Sequence, residues 1–276
     1  MRITPFIVFL RSLGAAAAIW VAPAGLRAQC NEAEAAVVDG RVRGGQGRVQ
    51  PGGGKHYTFN SAEDSLSWVH AKALAARSDG FRVIVSLKDC HVWAIIGRDT
   101  VLTAPAAVAK GTTLRFGTAK WKFDTPRGIR TVLGKESDPI WQPPEWLYAE
   151  TASEHNLRLG HVSASRPIRL SDGRTVTVRG HEVGIIDNGQ FAAMPTNEHI
   201  VFGDTLFVPP LGTRNRMVEG ELGKYRLILG DGYLLHGTPY SQSIGMAATH
   251  GCVRLRDGDI EWMYAHIPIG TRIYIF

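Results

Sequence analysis

The chain has 276 residues, 44% of them hydrophobic and 20% charged, which is enough apolar material for a full-sized domain plus appendages and excludes a wholly disordered chain. The net charge of +6 includes Arg2 and Arg11 in the first segment. No dense Lys/Arg run interleaved with aromatics occurs, so no nucleic-acid partner is expected, and the mild basicity suits an acidic polymer.

Met1 and Arg2 lead into an apolar stretch interrupted by Arg11 and ending in small residues around Ala22-Pro23-Ala24. Charge, apolar run and small residues together read as a secretory signal over residues 1–28, so an exported protein of the periplasm or cell wall is expected. Residues 29–80 read as a Gly-rich linker, with Gly44-Gly45 and Gly52-Gly53-Gly54, followed by a short helix over Ser61 to Arg77 with Leu66, Val69 and Leu74 as its apolar positions. From Phe81 the pattern turns to short β runs, Arg82 to Leu87, Cys90 to Ile96 and Val101 onward, separated by turn residues.

Thr125-Pro126-Arg127-Gly128 is a turn, and Pro139 to Trp146 gathers Trp141, Pro143, Pro144 and Trp146 into one short loop that either walls a cleft or packs as ordinary irregular chain. Ala149 to Arg166 reads as a loop or partly helical insertion. A hairpin is expected around Ser171-Asp172-Gly173 and a strand run over Ile200 to Pro210. Lys224 to Leu229, a Gly230-Asp231-Gly232 turn and Tyr233 to His236 read as strand, turn, strand. A helix over Asp259 to His266 and a last strand, Thr271 to Phe276, close the chain.

The chemistry concentrates in His236-Gly237-Thr238-Pro239, Ser243-Ile244-Gly245 and Thr249-His250-Gly251-Cys252-Val253-Arg254. In an extended segment His250, Cys252 and Arg254 share one face, placing a thiol between an imidazole and a guanidinium, neighbours that lower a thiol's pKa. His236 can then act as general base, oriented by the Gly237 carbonyl, while backbone N–H groups at Gly251 and Cys252 are candidate oxyanion donors. Three cysteines in an oxidising compartment pair two and leave one. These surroundings make Cys252 the odd one and leave Cys30 and Cys90 as the expected disulfide.

Zinc on His236, His250 and Cys252 is disfavoured, because a fourth ligand at motif spacing is missing and Arg254 opposes a cation, so no metal or other cofactor is expected.

These motifs resemble the L,D-transpeptidase (YkuD-type) catalytic domain, whose pattern is His-Gly-Thr, then Ser/Thr-His-Gly-Cys-Val/Ile-Arg, then an acidic-capped helix. Weaker likeness extends to Arg82–Ala109 and to Thr125-Pro126-Arg127-Gly128. The resemblance implies a mainly β catalytic domain over residues 81–276, a β-sandwich or open barrel with a few flanking helices. It implies Cys252 as nucleophile attacking a peptidoglycan tetrapeptide stem with release of D-Ala, and His236 as base with Gly237 as its carbonyl partner. Thr249, His250 and Gly251 would shape the nucleophile loop, and Arg254, Thr238, Ser243 and Gly245 would contact substrate. The acceptor is left open between a second stem's amine, a lipoprotein lysine and water, and carbapenem acylation of Cys252 is a further expectation. A wall-binding module with a vestigial site, using the basic linker and the Trp141/Trp146 loop, is the reading from another class.

Overall fold

The computed structural model describes residues 62–78 and 80–276. The expected signal, the Gly-rich linker, the Ser61 cap and Cys30 lie outside the described residues. The fold is mainly β, and the described chain forms two compact units.

The first unit comprises the described residues up to Gly111, then Phe123–Ser137 and Lys224–Phe276. Its larger sheet has five strands in the order Asp99–Pro105, His91–Ile96, Phe81–Ser86, Arg272–Ile275, Gly128–Thr131. The C-terminal strand runs parallel to Phe81–Ser86, pairing Val83 with Ile273, and antiparallel to Gly128–Thr131. Its second sheet orders Val253–Arg254, Leu234–His236, Tyr225–Ile228 and Gly134–Ser137. The inward residues of the two sheets, among them Val83, Val85, Leu227 and Leu235, share one core with Ile260 and Met263 of the helix Asp257–His266. This is the sandwich logic of two β faces closing on each other. Truncating Leu235, fully buried there, to Ala would cost about 2–5 kcal/mol.

The helix Ala62–Arg77 packs through Ala71, Leu74 and Ala75 against Tyr274. Leu66 and Val69, counted with Leu74 as its apolar positions, are exposed instead. Small alanines allow the helix close to the sheet, which a pattern of large apolar residues does not reveal.

The second unit consists of two excursions, Thr112–Lys122 and Asp138–Gly223. The first is a hairpin, Thr113–Phe116 with Ala119–Lys122. The second begins with the helix Glu145–Glu154, so Trp146 lies on a helix rather than in the loop expected for it. A strand Arg158–His161 follows and pairs in parallel with Thr205–Val208. The hairpin expected around Ser171-Asp172-Gly173 forms, joining Ile168–Arg169 to Thr175–Arg179, and extends into a four-stranded sheet. Ile200 to Pro210 is not one strand run. It is an antiparallel pair, Ile200–Phe202 and Thr205–Val208, turning at Gly203 with φ 59°, a left-handed conformation that glycine adopts without a Cβ penalty.

Candidate active site

All the chemistry-bearing residues fall in the first unit. His236 ends the strand Leu234–His236, which is bonded on one side to Tyr225–Ile228 and on the other, in parallel, to Val253–Arg254. Leu235 faces Val253 and His236 faces Arg254, so His236 is fixed by sheet register to the strand that begins just after Cys252. Its ring is buried, and Nδ1 lies 2.6 Å from the Gly237 carbonyl oxygen. A carbonyl can only accept, so Nδ1 carries the proton and Nε2 the lone pair, the form a general base requires.

Cys252 follows the strand Ala247–Thr249 across a bend at residues 250–252. The segment is therefore not one extended strand, and the expected shared face of His250, Cys252 and Arg254 is broken at its middle. Gly251 makes the bend, with φ 147° and a Cβ position only 3.1 Å from the Tyr233 ring and 3.3 Å from the Asp124 carbonyl. Cys252 is half-buried, and its sulfur lies 3.8 Å from the carbonyl of Gly232, in the turn that precedes the His236 strand. Burial pushes the thiol up. The Leu234 backbone N–H and the charges of Arg254 and Arg226 oppose that shift without reversing it. The sequence-based expectation of a lowered pKa is thus corrected, because desolvation of the thiolate outweighs the two cations.

Backbone and hydroxyl contacts hold the loop that carries Cys252. Thr249 Oγ1 donates to the Cys252 carbonyl at 2.6 Å and accepts the Gly251 N–H at 3.3 Å. That N–H, one of the two oxyanion donors the sequence suggested, is therefore committed within the loop. Thr125, which sequence reading treated only as part of a turn, donates from Oγ1 to the Gly251 carbonyl at 2.9 Å and accepts the Ala109 N–H at 3.1 Å. His250 is drawn to Lys110, whose Nζ lies 3.0 Å from its Nε2, and to the edge of Phe123. Lys110 went unnoticed in the sequence because it lies 140 residues from its partner.

The four expected substrate-contact residues sit within the loop's own framework. Arg254 Nη1 donates to Ser243 Oγ at 3.2 Å, Ser243 Oγ donates to the Tyr240 carbonyl, and the Tyr240 N–H reaches Thr238 Oγ1. Thr238 in turn gives its backbone N–H to Asp257 at the start of the last helix. Gly245 turns at φ 85° and donates its N–H to the Ala106 carbonyl. The arrangement puts a buried imidazole on the strand paired with the segment that follows the thiol, the two groups that Cys/His acyl transfer uses.

The family model described as the L,D-transpeptidase catalytic domain (YkuD) matches residues 80–275. The chain belongs to that family. Among curated relatives, "Probable L,D-transpeptidase ErfK/SrfK" of Salmonella typhimurium is 39% identical over 57 residues, 21% of this chain and 18% of that protein. "Probable L,D-transpeptidase YbiS" of Escherichia coli is 42% identical over 55 residues, again 18% of its length. The match thus spans under a fifth of those relatives. A Bacillus licheniformis protein named for the same family is 28% identical over 131 residues, 43% of this chain and 79% of that one. A solved L,D-transpeptidase segment from Xylanimonas cellulosilytica aligns with a TM-score of 0.38 at 16% identity, covering 72% of this chain and 61% of that one.

Proposed function

We propose that this L,D-transpeptidase family member is an exported acyltransferase acting on peptidoglycan stem peptides, with Cys252 as nucleophile and His236 as base. The observation that carries the reading is the buried His236, proton fixed on Nδ1 by the Gly237 carbonyl, on a strand paired in register with Val253–Arg254, the two residues that follow Cys252. His236 Nε2 takes the thiol proton as sulfur attacks the carbonyl carbon of the bond joining the L-centre of diaminopimelate to D-Ala. The tetrahedral oxyanion is received by backbone N–H, and its collapse breaks the C–N bond. His236 returns the proton to the departing D-Ala amine, leaving a thioester on Cys252. An acceptor amine then attacks the thioester, gives up a proton and restores the thiol. Water in place of the amine would make the same site an L,D-carboxypeptidase.

Mass spectrometry of the mature protein incubated with disaccharide-tetrapeptide, beside Cys252→Ala, tests this. Crosslinked dimers lacking one D-Ala are expected from the wild type only. Free tripeptide alone would assign hydrolysis, and unchanged substrate with no adduct on Cys252 would favour a wall-binding module. A carbapenem should add its full mass to the wild type and nothing to the Cys252→Ala variant.

A further inference from the structure

We propose that Lys110 is a positioning residue for the nucleophile loop, fixing the His250 ring as its neutral Nδ1–H form so that proton transfer is confined to His236. The proposal rests on the acyl-transfer reading above. An ammonium group has three donors and no acceptor, and Lys110 Nζ lies 3.0 Å from His250 Nε2. Nε2 must therefore accept, which puts the ring proton on Nδ1 and rules out an imidazolium in this arrangement.

Phe123 fixes both partners. Its ring is 3% exposed, meets the His250 ring edge-on at 4.5 Å between centroids, and lies 5.0 Å beneath Lys110 Nζ. The ammonium thus sits between a π face and an imidazole lone pair, a cation–π geometry strengthened by partial desolvation. The Lys110 main chain grips the same loop, its N–H donating to the Thr249 carbonyl at 2.9 Å. One residue therefore holds both Thr249 and His250, the two positions before Gly251-Cys252.

The chemical consequence concerns where the thiol proton goes. Two imidazoles of the motif, His236 and His250, precede the nucleophile in sequence, and either could serve as base. Donation from an ammonium occupies the His250 lone pair, so His250 cannot accept a proton without losing that bond and facing a like charge. The single competent acceptor is then His236 Nε2. Polarisation by the ammonium also makes the His250 Nδ1–H a stronger donor, rigidifying whatever it bonds.

The test compares wild type, Lys110→Met, which keeps the apolar stem and loses the donor, and Lys110→Arg, which keeps a cationic donor. Nitrogen-15 NMR of labelled histidine rings, kcat and KM on disaccharide-tetrapeptide, and the iodoacetamide alkylation rate at Cys252 are read together. Wild type and Lys110→Arg should show the Nδ1–H pattern for His250, and Lys110→Met should lose it. Misplacement on the scale of an ångström should lower kcat about 10- to 100-fold in Lys110→Met, with KM within about twofold. Lys110→Arg should recover most of the loss.

An unchanged His250 pattern in Lys110→Met would overturn the proposal, as would full kcat despite a changed one. A kcat loss shared by Lys110→Arg with the Nδ1–H pattern intact would reduce Lys110 to packing and also overturn it. If the wild type turns over no stem peptide, the transpeptidase reading alone fails. The ring pattern and a several-fold change in alkylation rate then still decide the role of Lys110.

Discussion

Burial works against ionisation of the Cys252 thiol. Enclosure of the sulfur disfavours the thiolate more than Arg254, Arg226 and the Leu234 N–H favour it, so in the proposed mechanism ionisation waits on His236 rather than preceding substrate. Alkylation of Cys252 by iodoacetamide should therefore rise with pH through a midpoint above the ordinary thiol value of 9.0. A midpoint well below it would reveal a preformed thiolate–imidazolium pair and sink the general-base order. Gly251 is the second residue whose chemistry follows from geometry. An alanine there would need φ 147° and a Cβ 3.1 Å from Tyr233, strain of about 1–3 kcal/mol. Gly251→Ala should lower kcat by about 100-fold while far-ultraviolet circular dichroism stays unchanged, and near-wild-type kcat would show the bend is dispensable.

At the scale of elements, short segments far apart in sequence are tied by single polar side chains. Thr125 bridges the Ala109 N–H and the Gly251 carbonyl from a buried position. Thr125→Val keeps the shape and orphans both groups, so it should destabilise by about 2–3 kcal/mol and lower kcat beyond that loss, measured by denaturant unfolding beside turnover. In the second unit Asn215 has the same function. Its Oδ1 accepts the Val183 N–H and its Nδ2 donates to the Met194 and Pro195 carbonyls, and Asn215→Ala should cost about 3 kcal/mol. Arg216 fastens the Trp/Pro loop in that unit through the Pro143 and Pro209 carbonyls, which gives those prolines a structural use that composition alone left undecided. The Asp257–His266 helix and the strands near Phe81 were legible because their apolar periods are local. Two-residue strands such as Val108–Ala109 were not, because only their partner Ala247–Thr249 makes them strands.

At the scale of the whole molecule, two compact units form along one chain, each with its own core. The first unit closes only when the last strand enters between Phe81–Ser86 and Gly128–Thr131, a long-range pairing that makes for slow folding. In the second unit burial pushes the Tyr148 hydroxyl from 10.0 up to about 12 against the lowering effect of Arg216. The folded state then holds a proton that the unfolded chain releases above pH 10.0. Stability should thus be full below that pH and fall by about 2–3 kcal/mol as pH rises toward 12. Alkaline unfolding curves of wild type and Tyr148→Phe should diverge across that window, and parallel curves would refute the assignment. The sequence by itself determined the family and marked His236, Gly237 and Cys252 as the candidate residues, because the motif places His, Gly and Cys within a few residues of the strands that hold them. Only the tertiary structure decided the Lys110 and Thr125 clamp, the folding of residues 138–223 and the upward shift of the thiol. Each of those depends on burial and on contacts between residues distant in sequence, which no local pattern encodes.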